Sequence, residues 1–593
     1  MGHLKAHTEI FDEGLLLGYI SKVTQNYALL NTPHYYQLTR YHYNGEDYHG
    51  GLLNSYVLIE GDNYGFLGQI FEIEFLEKER KEITSTSFEL NKETALNPRI
   101  KISLLMAFDY LTKKLKRIST DFPNIGARVF LAKGDVVKSF LENLNEENTR
   151  ISEKEKIKFC LGNVLGKKDV NIKLTTKQIF SRHCAIVGTT GSGKSWTAAK
   201  LIDLLIAENK KIILIDPTGE YTNAFDSEEI KKDYDADIFR LGIDSIIDYH
   251  KMQLEDLYLM LTPSEGIQLP KLNEAVRSLK LVKIANAAKD NSEQYGISEE
   301  IIRIINSFIG EDKKGLLKKK GKNREDYETL LLKFNKEVSE NNLNCVNIFL
   351  LSHQIKEECI WETNKQNNNL FGDYDEKTYG QCLPMILRLN NITNQEIFEK
   401  LFVGESAEAR DVLKYIENFV VNQEKKVLVI NLEEVITEFN MKELVVELIG
   451  RKILELARKN GIKDGSVFVF VDEAHNFLKK EKENEMRKYR LNSFEILAKE
   501  SRKKGVFLCI ITQRPGDIPE GVLSQFGTFI IHNLTNSNDI ERVKNVLEKS
   551  GTIMGLLPYL NEGEAIISSV NIPLILPMKI HEPRVKPDSD VPM

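Results

Sequence analysis

Residues 188–195 read Gly188-Thr189-Thr190-Gly191-Ser192-Gly193-Lys194-Ser195, directly after the apolar run CAIV and directly before the helical pattern WTAAKLIDLLIAE. A strand, a glycine-rich turn and a helix in that order confine the turn to one edge of a sheet, with the helix N-terminus facing it. Glycines there let backbone N–H groups curl around an anion, and the helix N-terminus favours negative charge. Lys194 adds a point charge for β/γ phosphates, and Ser195 offers a hydroxyl to a Mg2+ shell. The spacing is that of phosphate-binding loops. ATP and Mg2+ are the expected ligands, with Gly188, Thr190, Gly191, Ser192, Gly193, Lys194, Ser195 and Trp196 forming the cradle.

The surrounding pattern agrees with this fold requirement. The runs HCAIVG, KIILID, KVLVIN, SVFVFVDE, VFLCIIT and TFIIH are continuously apolar, as expected of parallel strands covered by helices on both faces. Between them, LEDLYLMLTPSEG, PKLNEAVRSLKLVKIANAAK and EEIIRIINSFIG have helical spacing and read as a helical insertion. The N-terminal part alternates short β-rich segments (GYISKV, YALLNT, YVLIEG, GQIFEIEF, ARVFLAKGD) with turn signals, which predicts a small β-barrel or sandwich. One interruption, Ile102 to Leu115, has apolar residues at helical spacing. The expected class is therefore α/β, with a β domain over 1–161, an ATPase core over 162–250 and 426–593, and a helical insertion over 251–425.

Composition narrows the partners. With 80 Lys+Arg against 87 Asp+Glu the net charge is -7, so a globally basic nucleic-acid coat is excluded and any polyanion site is local. The six cysteines lack a CxxC pair and read as reduced core thiols. The N-terminus has no secretory pattern and no apolar run approaches about 18 residues, so a cytoplasmic location without membrane insertion is expected. Two charged stretches remain open. Asp312 to Asp326 reads as a solvated loop or a nucleic-acid contact, with an Asn-rich mobile loop nearby, and Leu478 to Ser493 as a solvated helix or a DNA-facing loop.

Four further motifs carry chemistry. The strand SVFVFV ends in Asp472 and Glu473: Asp472 is placed to hold Mg2+, and Glu473 to orient and deprotonate an attacking water. His475, two residues on, reads as a packing or hydrogen-bonding residue. Gln513, in TQRP at the end of VFLCIIT, is either a γ-phosphate sensor or part of a turn. Arg182 and Arg502 are either surface ion pairs or arginine fingers acting across a subunit boundary. Asp216, in DPTGEY, lies at a strand tip near nucleotide or neighbour, or simply makes an Asp-Pro turn.

Taken together, RHCAIVGTTGSGKS, LIDPTGEY, FVFVDEAHNFL, KESRKKGVFLCIITQRPGDIPEGVLSQFGTFI and GEAII resemble the HerA family of the HerA/FtsK clade, from about Arg182 to His581. The resemblance implies a RecA-like core, an N-terminal HAS-barrel and a hexameric, ATP-driven translocase or helicase on double-stranded DNA held in a central pore. It implies that Arg182 contacts nucleotide, that Arg502 acts in trans, that Gln513 is the sensor, and that Asp216 and Glu220 belong to the nucleotide site. It further implies that a C-terminal strand brings Lys579 and Ile580 near a neighbour's nucleotide. An effector docked on the barrel face is also implied: a NurA-type nuclease, another nuclease or a sirtuin-type NAD hydrolase, in DNA processing or anti-phage defence. The chain departs from the family in reading SRKKG for GRK, in reading HNL where an arginine is common, and in a longer insertion. An ATPase scaffold that activates a bound effector with little translocation is the competing reading. A peptide-directed ATPase is disfavoured by the TQRP strand.

Overall fold

The computed structural model describes residues 10–588 except 26, 33–37, 54, 75–97, 111–114, 117, 119–120, 144–158, 166–169, 291–297, 310–314, 405–408, 422–424, 461, 463–464, 479–491 and 548–552. The chain packs as two compact units, one of residues 1–210, 468–475 and 507–593 and the other of 211–467 and 476–506.

The first unit begins with a closed antiparallel barrel of six strands. In spatial order these are Tyr27–Asn31, Leu16–Val23, Arg128–Leu131, Tyr56–Ile59, Gly65–Glu74 and Arg99–Phe108, and the last pairs back on the first through Leu30↔Ile100 and Ala28↔Ile102. Closure leaves no free edge, and the inward side chains, among them Leu17, Ile20, Leu30, Val57, Ile59, Ile70, Ile102 and Val129, form one core. The helix expected from Ile102 is instead the strand Arg99–Phe108. Its β-branched Ile100 and Ile102 alternate with Lys101 and Ser103, and partners on both sides satisfy its backbone. Two-sided pairing overrides the helix-like spacing of LLMAF. A hairpin that the sequence reading missed, Arg40–Tyr43 with Glu46–His49, turns at Asn44 (φ 50°) and Gly45 (φ 86°), an Asn-Gly signal.

The same unit carries the strand His183–Val187, parallel to Val506–Thr512 on one side (Cys184↔Cys509) and to Phe526–Ile531 on the other (Ala185↔Phe529). Val467–Val471 lies beyond Val506–Thr512. On the opposite flank the sheet continues antiparallel through Glu564–Ser569, Ile572–Ile580, Phe159–Val164 and Asn171–Leu174. Every residue of His183–Val187 and of Phe526–Ile531 is buried, as two covered faces require. This is an α/β core with an N-terminal barrel.

In the second unit, Val427–Asn431 lies parallel between Lys211–Asp216 and Ala236–Arg240; the last of these was not anticipated. Between them run helices that include Leu254–Leu261, Gln268–Asp290, Glu299–Ile309, Ile348–Glu358 and Glu376–Thr393. Packed among them, Leu281, Ile305, Phe308, Leu330 and Phe334 build a separate apolar cluster. The basic stretch is not uniformly solvated. Lys319 is 4% exposed, its ammonium 2.5 Å from the Glu358 carboxylate and 4.2 Å from the centre of the Tyr327 ring. Ser278 and Gln354 also donate to Glu358. The Asn-rich segment expected to be mobile is closed by backbone bonds from Asn364 to Leu370 (2.8 Å), Trp361 to Asp373 (2.9 Å) and Gly372 to Trp361 (2.9 Å). Most of the second charged stretch, 479–491, lies outside the described residues. Among those described, no helix is long and apolar enough to cross a membrane.

Removing one member of a buried, hydrogen-bonded ion pair strands the other charge. Lys319→Ala is therefore expected to destabilise the chain by about 3–5 kcal/mol in urea unfolding. Substituting the exposed Lys320 should change little. Equal effects of the two would contradict a structural role for Lys319.

Candidate active site

The phosphate-binding loop leaves the strand His183–Val187 at Gly188 and enters the helix Lys194–Ala207 at Gly193. Gly191 (φ 72°) and Gly193 (φ 99°) hold left-handed backbone that other residues adopt only with strain. A Cβ at Gly193 would sit 3.0 Å from the backbone nitrogen of Gly563, and one at Gly188 would sit 2.6 Å from His532 Cβ. Neighbouring backbone anchors the loop: Thr189 N–H donates to Asn533 O (2.8 Å), Gly188 N–H to Thr512 O (3.3 Å) and Gly563 N–H to Ser192 O (3.0 Å). Lys194, 8% exposed, folds its ammonium over the loop and donates to Thr189 O at 2.8 Å. Ser195 follows on the first helical turn, and Trp196 is half-buried beneath the Lys586 ammonium, 5.6 Å from the ring centre.

Both acids stand at the C-terminal end of Val467–Val471, two strands along from the loop. Asp472 is 4% exposed and accepts the Glu473 N–H at 2.9 Å. Glu473 holds a left-handed backbone (φ 45°), which turns its side chain away from the strand direction. His475 Nδ1 lies 3.2 Å from Glu473 Oε2 and 3.4 Å from Thr512 Oγ1. Gln513 joins the two halves: the Thr190 hydroxyl donates to its Oε1 at 2.8 Å, and its Nε2 donates to Glu473 Oε2 at 3.4 Å. The loop tip, the strand-end amide and the carboxylate thus form one side-chain chain.

The remaining expected residues are placed differently. Arg182 is exposed at the opposite end of the P-loop strand, lying across Gly527, and five strand residues at about 3.3 Å each separate it from its own loop. Arg502 is exposed on the short helix Ser501–Lys504 of the second unit. Asp216 and Glu220 also belong to that unit. Asp216 is fully buried, and its carboxylate accepts from Gly219 N, Tyr221 N, Thr222 N and Thr222 Oγ1 at 2.7–3.1 Å. Burial raises its pKa, with those hydrogen bonds opposing the rise. Its visible work is to cap the turn into the helix Glu220–Phe225, which Glu220 begins. Ile580 N–H donates to Gly563 O at 2.9 Å, and the exposed Lys579 donates to Glu562 O. Both therefore border the turn that touches the loop of their own chain.

Sequence reasoning missed His532 and Thr197. His532 is fully buried between Thr197 Oγ1 and Glu564 O, 2.9 Å from each. Its only signal was a polar residue closing the apolar run TFII. A test separates the strained from the crowded glycine. Gly193→Ala combines positive φ with a close backbone approach and is expected to cost more than about 1 kcal/mol and to weaken nucleotide binding. Gly191→Ala meets no heavy atom within 4 Å and should lose less in both melting and nucleotide titration.

The chain is similar to known proteins. The family described as "Helicase HerA, central domain" matches residues 159–352, and "Helicase HerA-like C-terminal" matches 447–571, together just over half of the chain. A probable helicase of Methanocaldococcus jannaschii is 24% identical over 77% of this chain and 74% of its own length. The DNA double-strand break repair helicase HerA of Sulfurisphaera tokodaii is 28% identical over 73% of this chain and 71% of its own. Among solved structures, VirB4 of Thermoanaerobacter pseudethanolicus is similar with a TM-score of 0.44 and 14% identity, covering 72% of this chain and 98% of that one. With both HerA regions matched around the loop and the strand-end acids, the chain belongs to the HerA helicase family.

Proposed function

We propose that this chain is an ATP-driven translocase or helicase on double-stranded DNA, working as a homohexamer with an effector bound to its barrel. The observation that carries the reading is the Thr190–Gln513–Glu473 connection, because it couples the phosphate-facing loop tip to the group that would activate water. Lys194 attracts the β/γ phosphates, Glu473 takes the proton of the attacking water, and Gln513 reads whether a γ-phosphate lies between them. Arg502, and Arg182 from the far end of its strand, act on the nucleotide of an adjacent copy. Asp216 and Glu220 face an adjacent copy, while Trp196, Lys579 and Ile580 line the loop's flank.

The donor set fits Mg2+, since the Ser195 hydroxyl and Asp472 carboxylate are hard oxygen ligands. When bound, the ion neutralises charge on the β and γ oxygens. The net charge of -7 suits a ring in which only the channel is basic. Relatives named for double-strand break repair support a DNA substrate. A nuclease or NAD hydrolase is the partner class favoured, in DNA processing or anti-phage defence.

Lys194→Ala is expected to abolish ATP binding. Glu473→Gln should bind ATP while turnover falls on the order of 10²–10⁴-fold. Steady-state hydrolysis should rise with double-stranded DNA, and light scattering should give six times the 68.0 kDa chain mass. Hydrolysis indifferent to DNA in such a ring would favour the effector-scaffold reading instead.

A further inference from the structure

His532 follows the buried strand Phe526–Ile531, and its backbone N–H donates to Val187 O, the last residue of the P-loop strand, at 2.7 Å. Its side chain lies against both crowded glycines: a Cβ on Gly188 would meet His532 Cβ, and one on Gly193 would lie 3.7 Å from the ring atom Cε1. The two ring nitrogens have different partners. Glu564 O is only an acceptor, so Nδ1 carries the proton, and Nε2 is left to accept the Thr197 hydroxyl. Thr197 is itself fully buried in the first turn of the P-loop helix, donating its N–H to Gly193 O at 3.0 Å.

A neutral ring is required for this wiring. The His532 pKa is lowered to about 4, chiefly by burial and also by the nearby Lys194 and Lys579 ammonium groups, with the backbone of Glu564 and Ser192 opposing the fall. Glu564 also begins the strand whose preceding turn, at Gly563, holds Ser192 O. One imidazole therefore ties the end of the strand Phe526–Ile531, the helix start and the Gly563 turn, three of the elements around the loop. Asn533 continues the same anchor: its carbonyl holds Thr189 N–H, while its amide donates to Pro558 O (3.1 Å) and Leu560 O (2.9 Å).

We infer that His532 is a positioning residue for the nucleotide, presetting the loop N–H groups and the Lys194 helix turn through its bonds to Thr197 and Glu564. The inference rests on the ATP-binding reading of this loop. Being fully buried, His532 governs affinity through the elements it ties more than the chemical step.

The test measures the Kd for ATP by calorimetry on the full chain in a Glu473→Gln background, with kcat and KM measured in the otherwise native chain. His532→Leu should raise Kd and KM on the order of tenfold while kcat at saturation stays within about twofold. Thr197→Val should raise Kd by a smaller factor, and the double variant should bind no worse than His532→Leu alone, because both remove one connection. His532→Gln, which keeps a donor and an acceptor on one side chain, should recover part of the loss. A lowered melting temperature with unchanged Kd and KM, or losses that add in the double variant, would overturn the inference. If His532→Leu does not fold, Thr197→Val decides alone: a wild-type Kd refutes it. Lys194→Ala separates the two readings. Wild-type affinity in that variant sinks the ATP site itself, whereas lost affinity there with normal binding in His532→Leu sinks only the positioning role.

Discussion

The pairing of His183–Val187 with strands on both sides is the constraint on which the site depends. A strand hydrogen-bonded along both edges cannot shift register without breaking two ladders, so the point at which Gly188 leaves it is set. From there each functional group is placed by a neighbour. Val506–Thr512 ends in Gln513, Val467–Val471 ends in Asp472 and Glu473, and Phe526–Ile531 ends in His532. Four strand tips converge because parallel strands present the same chemical end to the same side. The loop's anchoring bonds then come from the Thr512 and Asn533 carbonyls at these tips, from the Gly563 turn, and from within the loop through Lys194 and Ser192.

Two local features beside the loop work against stability. Glu473 holds positive φ, a state costing on the order of 1 kcal/mol for a residue with a side chain. It is kept there by the Asp472 carboxylate capping its N–H and by contacts with His475 and Gln513. The fully buried His532 is the second: a polar ring in an otherwise apolar run, made tolerable by two complementary partners. Both lie beside the phosphate loop.

What could be read from the chain in advance was local. The GxxxxGK[ST] turn, the apolar runs and the strand-end acids each carry their signal within a few residues, and the geometry places them as that signal implies. The missed features depend on distant partners. Arg99–Phe108 is a strand because it pairs with two others, and Lys319 is buried because Glu358 waits 39 positions away. The His532–Thr197 bond spans 335 positions, and no spacing rule connects a histidine after TFII to a threonine after GKSW. Asp216 shows the converse: its motif suggested a nucleotide site and a turn equally, and its four accepted hydrogen bonds account for the turn.

In the proposed mechanism Gln513 transmits the state of the loop tip to Glu473. Single-turnover ATP hydrolysis by Gln513→Leu, with ATP affinity measured in parallel, tests it most directly. Near-native affinity is expected, with hydrolysis slowed on the order of tenfold or more and no longer responsive to DNA. Native single-turnover rates that still rise with DNA would contradict it.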